Sequence, residues 1–207
     1  MPILQDLKAT FEQITGYRRP APREAGRLRL PRKPRVFHFK DDGSTPNNPV
    51  LPLLLYRGAV ALSGKFEPAA VFEQLFAANG WGDSWRDGIY GFLHFHTRTH
   101  EVLGVARGRA WVKFGGAAGK EVILKAGDVV VLPAGTGHKR LAKSSDLLVV
   151  GAYPESGGSY DQPRSSQIDH DKAVALVAAV RLPRKDPVYG KNGPLLRLWR
   201  HSPRSAQ

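Results

Sequence analysis

Apolar positions change their period several times along the chain, and each change predicts an element. Leu4, Leu7, Phe11 and Ile14 recur at three-to-four spacing until Gly16, which predicts a short amphipathic helix. Residues 20–34, rich in Pro and Arg, read as irregular chain. Arg35-Val36-Phe37-His38-Phe39 alternates and then breaks at Asp41-Asp42-Gly43, as a strand does, and residues 50–57 read as another strand. Over residues 67–78 the period turns helical again. Pro68 falls in the first turn, Val71, Phe72, Leu75 and Phe76 form the stripe, and Asn79-Gly80 ends it.

From Ile89 the chain becomes a series of short runs rich in β-branched and aromatic residues: 89–96, 102–114, 121–125, 129–132 and 147–153. Gly-bearing turns at 115–119, 126–128 and 133–137 separate them, which predicts antiparallel β-structure with no βαβ rhythm. Residues 169–180 read as a late helix, followed by a Pro-rich tail. The expected organisation is a helix and basic arm over residues 1–35, a β-barrel over 36–155, and a helix and basic tail over 156–207. The segments near 36–39 and 50–57 supply the barrel's missing staves.

Composition narrows the classes. With 207 residues and 42% hydrophobic content the chain can bury one ordinary core or two small ones. No apolar run approaches the roughly 20 residues needed to cross a bilayer. Met1-Pro2-Ile3-Leu4-Gln5-Asp6 lacks the basic start and apolar run of a signal peptide, which predicts a cytoplasmic chain with no membrane partner. The absence of Cys excludes disulfides and thiolate ligands, so any metal is held by imidazole and carboxylate. The net charge of +13 sits at the ends, +7 in residues 17–35 and +6 in 181–207, while 36–180 carries fifteen basic and fourteen acidic residues. The basic residues are mixed with Pro and Gly rather than with stacking aromatics, which argues against a nucleic-acid partner and for solvated arms.

The candidate chemistry lies in Gly88 to Glu101, where His94, His96 and His100 fall within seven residues. On a strand, side chains two apart share a face, so His94 and His96 point the same way as Tyr90 and Phe92. A turn through Arg98 would bring the chain back with Glu101 beside the two imidazoles, and His138 follows a tight turn built on Pro133 and Gly135. Three His and one Glu suit a divalent first-row metal. By parity His100 faces away from Glu101; it stays a weaker alternative ligand because the turn is near. His38, His170 and His201 have no partner pattern.

These residues resemble the cupin superfamily. Its first motif is matched by Gly88, His94, His96, Glu101 and Gly108, and its second by Gly127, Pro133, Gly135 and His138; Ala142 stands where the family has Asn. The resemblance implies an all-β, double-stranded β-helix (jelly-roll) barrel with a few peripheral helices. It also implies a divalent ion (Fe, Mn, Ni or Zn), a small organic anion as ligand, and a loose expectation of homodimers. Family members act as dioxygenases, isomerases or decarboxylases, while others only bind a small molecule. The readings carried forward are therefore a metal-binding dioxygenase or isomerase, a non-catalytic binding protein, and a structural protein with a vestigial site. Tyr90 is a candidate to donate to a bound oxygen, or else packs the wall; Arg98 is a candidate carboxylate clamp, or else is solvated. Trp111 and Lys139-Arg140 are weaker versions of the same choice. Gly80 to Trp85 reads either as a rim over a cavity or as loop packing.

Overall fold

Four strands in the middle of the chain are buried on both faces, and the fold follows from how each face is covered. The computed structural model describes residues 16–200 apart from Ser63. In chain order the elements are helix α1 (Pro22–Arg27), strands β1 (Arg35–Phe37) and β2 (Leu53–Tyr56), helix α2 (Pro68–Ala78), and strands β3 (Trp81–Asp87), β4 (Glu101–Arg107), β5 (Arg109–Phe114), β6 (Lys120–Lys125), β7 (Val129–Leu132), β8 (His138–Lys143) and β9 (Leu148–Pro154). A short 3-10 turn (Ser165–Gln167) and helices α3 (His170–Ala178) and α4 (Pro194–Arg200) complete them.

The strands form a six-stranded antiparallel sheet in the order β1-β2-β7-β4-β9-β3 and a three-stranded one in the order β6-β5-β8. Neither sheet closes on itself. The expected all-β jelly-roll barrel is therefore corrected to a mixed fold, two open sheets with four α-helices among the described residues. The reason is visible along β4. Leu103 and Val105 reach a core between the sheets, where Val130 and Leu132 join them from the larger sheet and Val112 and Phe114 from the smaller. Val102 and Ala106 face the other way, onto a second core closed by Phe72 and Phe76 of α2 and by Leu195 and Trp199 of α4. A sheet buried on both sides needs a helical layer, so the helices are part of the structure's core rather than peripheral.

Several local expectations shift as well. No strand forms over 89–96, where a single bridge joins His94 to His138; the strand lies upstream as β3, in the stretch read as rim or loop. The run 102–114 is two strands turned at Gly108. Helix α1 sits in the segment read as irregular and α4 in the one read as a Pro-rich tail; at six and seven residues they are too short to show a period. The helix expected over residues 4–14 lies outside the described residues.

Local chemistry fixes the ends of the longer helices. The Glu67 carboxylate accepts from Ala69 N (3.1 Å) and Ala70 N (2.8 Å) ahead of Pro68, and Asp169 caps α3 by accepting from Lys172 N (2.9 Å). The two basic segments lie together. Tyr189 Oη donates to Leu30 O (2.7 Å), and Arg29 donates to Val188 O (3.2 Å). Asp186 is fully buried between them and the sheet, accepting from Tyr56 Oη (2.6 Å) and from the backbone of Val188, Tyr189 and Leu195 at 2.8, 3.0 and 3.1 Å. No helix among the described residues is long and apolar enough to cross a membrane.

Candidate metal centre

Alternation along β4 places its first residue, Glu101, on the inter-sheet side with Leu103 and Val105. The chain just before β4 runs antiparallel to β8: His138 N donates to His94 O (2.9 Å), His94 N to His138 O (3.2 Å) and Arg140 N to Tyr90 O (2.8 Å). The turn into β8 needs glycine at 135, where φ is +86° and a Cβ would come within 2.2 Å of Asn47 O. Gly135 N donates to His96 O (2.7 Å), which ties that turn to the paired histidines.

Three imidazoles converge as a result. One nitrogen of each of His94, His96 and His138 lies within 4.8 Å of the others, and all three side chains are buried. Each ring is aimed by a backbone carbonyl at Nδ1: Phe92 O for His94 (3.1 Å), Thr136 O for His138 (3.1 Å) and Asp161 O for His96. A carbonyl can only accept, so Nδ1 carries the proton in all three and each Nε2 presents its lone pair. Glu101 Oε2 lies 3.4 Å from both His96 Nε2 and His138 Nε2. Glu101 Oε2 and His96 Nε2 are buried with no hydrogen-bond partner, an arrangement that costs energy unless something sits between the groups. Ligands about 2.1 Å from one divalent ion lie roughly 3.0–3.4 Å apart, a spacing that the two Glu101–imidazole distances match, while the three imidazoles are the group close enough to share an ion.

The electrostatics favour the neutral ring at His94 and His138. Burial, and then the neighbouring His94, hold His138 down to about 3, and burial lowers His94 too. Burial also opposes charge on His96 and Glu101, but their mutual attraction outweighs it, raising His96 and lowering Glu101. The Glu101 carboxylate therefore stays ionised.

The other sequence candidates separate. Tyr90 is 45% exposed at the cavity rim, its ring stacked on Phe92 (centroids 5.0 Å apart) and edge-on to His94 (5.5 Å). Arg98 is exposed and faces a different depression, beside Ser159, Asp161 and Leu176, so it is not brought to the histidines. His100 lies on the helical side, fully buried, with its Nδ1 accepting from Ala134 N (2.9 Å) and its ring against Trp199; it does not join the cluster. Trp111 is 46% exposed on β5. Arg140 supports the site from behind, donating from Nε to Ile89 O (2.8 Å). His170 pairs with Asp41 (2.9 Å) away from the histidine cluster, and His201 lies outside the described residues.

The histidines open onto a cavity of about 520 Å³. Its walls include Trp85 from β3, in the stretch read as a rim or as loop packing, and three residues that the sequence reading missed, Tyr153 from β9 and Tyr160 and Gln162 from the loop after β9. Trp85 Nε1 donates to Tyr153 Oη (2.8 Å), and the Tyr153 and Tyr160 rings stand 5.2 Å apart beside His96. Burial and the Glu101 charge push both phenols up, Tyr160 to about 12, so both stay protonated. Asp161 is the other missed residue. Its carboxylate accepts from Thr97 N (2.9 Å), Thr97 Oγ1 (2.5 Å) and Arg98 N (3.2 Å), while its carbonyl orients His96. The register Val102–Ala152 puts Tyr153 opposite Glu101, a signal available once the β4–β9 pairing is known. Nothing local in the sequence marks Tyr160, Asp161 or Gln162.

Comparison with known proteins gives three findings. The family described as Cupin matches residues 87–165. An uncharacterized protein, YjlB, from Bacillus subtilis (strain 168) is 38% identical over 170 residues, covering 82% of this chain and 99% of the relative. Among solved structures, an 11S globulin from Wrightia tinctoria is 13% identical over 45% of this chain and 29% of its own, with a TM-score of 0.32. Acireductone dioxygenase from Bacillus anthracis, with a cadmium ion in its active centre, is 16% identical over 44% of this chain and 61% of its own, with a TM-score of 0.31. The chain spans less than two thirds of either of these two proteins.

Proposed function

The chain belongs to the cupin superfamily, and from that premise we propose that it is a metal-dependent enzyme acting on a small organic anion, as a dioxygenase or an isomerase. One observation carries the reading: Glu101 Oε2 and His96 Nε2 are buried and unpartnered at the floor of a cavity large enough for a small molecule. His94, His96, His138 and Glu101 would hold the ion. A divalent ion among three neutral imidazoles and one carboxylate keeps about one positive charge, with which it binds an oxyanion and polarises it.

The chain's own groups do the rest. The three carbonyls at Nδ1 fix the tautomers and hold the rings in place before any ligand arrives. The Tyr160 hydroxyl lies at the cavity wall and keeps its proton, so it can donate a hydrogen bond to an oxygen of the bound anion. Trp85, Tyr153 and Leu103 line the cavity with ring and aliphatic surface and limit the water that reaches the reacting atoms. Iron or manganese suits either chemistry; zinc found after purification would be a poor guide, because intrinsic affinity favours zinc over both.

The test is metal analysis of protein made without affinity resin or chelator, followed by turnover with iron, manganese and nickel forms. Dioxygen consumption and isomerisation are measured across a panel of small hydroxy and keto acids, with decarboxylation as a control. Bound metal with turnover that is lost in His96→Ala and Glu101→Ala supports the proposal. Bound metal without turnover assigns a binding role, and absence of metal assigns a vestigial site.

A further inference from the structure

Building on the metal reading of this cavity, we propose that its substrate is a small aromatic molecule with one metal-ligating oxyanion head and no second anionic group, phosphate included. The first argument is charge. Among the described residues, Arg86 is the one Lys or Arg in the cavity lining, and its guanidinium is already engaged. Nε and Nη2 meet the two Glu73 oxygens at 2.5 and 2.9 Å, and Nη1 meets Glu67 Oε2 at 2.9 Å. A phosphate or second carboxylate would find no free cation in that lining to pair with; Arg164, outside it, lies over the Phe92 ring at 4.1 Å. Such a group would instead meet Asp83 and Asp87, which line the same cavity and are exposed.

The second argument is the wall. Trp85 lies flat on Gly151, where an added Cβ would come within 2.1 Å of the indole, and its N–H is committed to Tyr153. With Tyr153 and Tyr160 it forms a fixed aromatic surface running to His96. Such a surface favours a planar ring, in offset or edge contact, over a flexible polyol. The third argument is Gln162. Its side chain lines the cavity as a neutral amide, so the polar group there carries no charge. That suits a carbonyl or hydroxyl oxygen on the substrate and leaves the charge at the metal end.

Co(II)-loaded full-length protein is titrated with four hydroxamates that share one chelating head, and the visible absorption of the ion reports its coordination. Benzohydroxamate is expected to bind at least about tenfold tighter than acetohydroxamate, and 4-phosphonobenzohydroxamate at least about tenfold weaker than benzohydroxamate. The 4-(trimethylammonio) analogue is expected to bind at least as tightly as benzohydroxamate. In Trp85→Leu the advantage of the ring should shrink to less than about threefold. A smaller gap in either of the first two comparisons overturns the proposal, as does weaker binding of the cationic analogue or a ring preference that survives in Trp85→Leu. Equilibrium dialysis of Co(II) beforehand separates the two readings. Failure to hold an ion sinks the metal centre and this inference together, whereas a held ion with the wrong order of ligands sinks only this inference.

Discussion

A histidine that gives its Nδ1 proton to a carbonyl has one lone pair left to offer, and three such lone pairs converge here because three different stretches of backbone supply the carbonyls. Asp161 does most for His96, through its carbonyl directly and through a carboxylate that holds Thr97 and the turn at Arg98. Asp161→Ala should therefore weaken metal binding by about 10–100-fold with the three histidines and Glu101 left in place, and Asp161→Asn should recover part of that loss. Equilibrium dialysis against manganese measures both; an affinity within twofold of the parent would leave the Asp161 carboxylate with no positioning role. Glu101→Gln keeps the size of the side chain and removes its charge. It should raise the dissociation constant by about tenfold or more, read by the same dialysis, while a change below twofold would remove Glu101 from the ligand set. The histidines and Glu101 were legible because they fall in two short stretches whose spacing is itself the signal. Arg98 and His100 were offered by the same stretch, yet one turns outward to solvent and the other inward to Trp199. Tyr153 and Tyr160 stayed hidden because strand pairing and a loop, not spacing, deliver them to the cavity.

Elements were easiest to read where one face is wet. β6 alternates cleanly between exposed and buried positions, and the stripe on α2 marks a helix with one covered side. The runs Leu53–Tyr56 and Val129–Leu132 are buried at every position, so they mark strands without saying what covers each face, and the second, helical layer was not legible from them. β3 escaped for a different reason: it is an edge strand with polar positions, a bulge between Gly82 and Trp85, and Asp83 at φ +48°. That strand depends on β9 through one contact in particular, the Trp85 indole resting on Gly151. Gly151→Ala should lift the indole and cost about 1–3 kcal/mol in urea unfolding, with a shift in tryptophan emission as the Trp85–Tyr153 hydrogen bond is lost. An unchanged unfolding midpoint and emission maximum would mean that the two strands do not rely on this packing.

Across the whole molecule, two buried polar clusters join segments far apart in sequence, and they are built on opposite terms. Asp186 has a donor on every side, so the helical layer is closed by a cluster already complete. Asp186→Ala would strand a tyrosine hydroxyl and three backbone N–H groups and should cost about 3 kcal/mol or more, seen as a lower urea midpoint. The histidine cluster is incomplete by comparison, since Glu101 Oε2 and His96 Nε2 have no hydrogen-bond partner among the described residues. It draws on the loop after β3, the first residue of β4, the first residue of β8 and, through Asp161, the loop after β9. An ion that binds only when these are assembled stabilises the folded state by mass action, about 2.7 kcal/mol at a free concentration one hundred times its dissociation constant. For a chain of this size each kcal/mol moves the melting temperature by about 2–4 °C, so stripping the ion with EDTA should lower it by about 5–10 °C and restoring manganese should return it. Because His94→Ala removes one of the ligands, that variant should melt near the stripped protein and respond much less to either treatment. If the parent's melting temperature ignores EDTA, the four side chains are packed together for some reason other than an ion, and the chemistry assigned to the cavity goes with them.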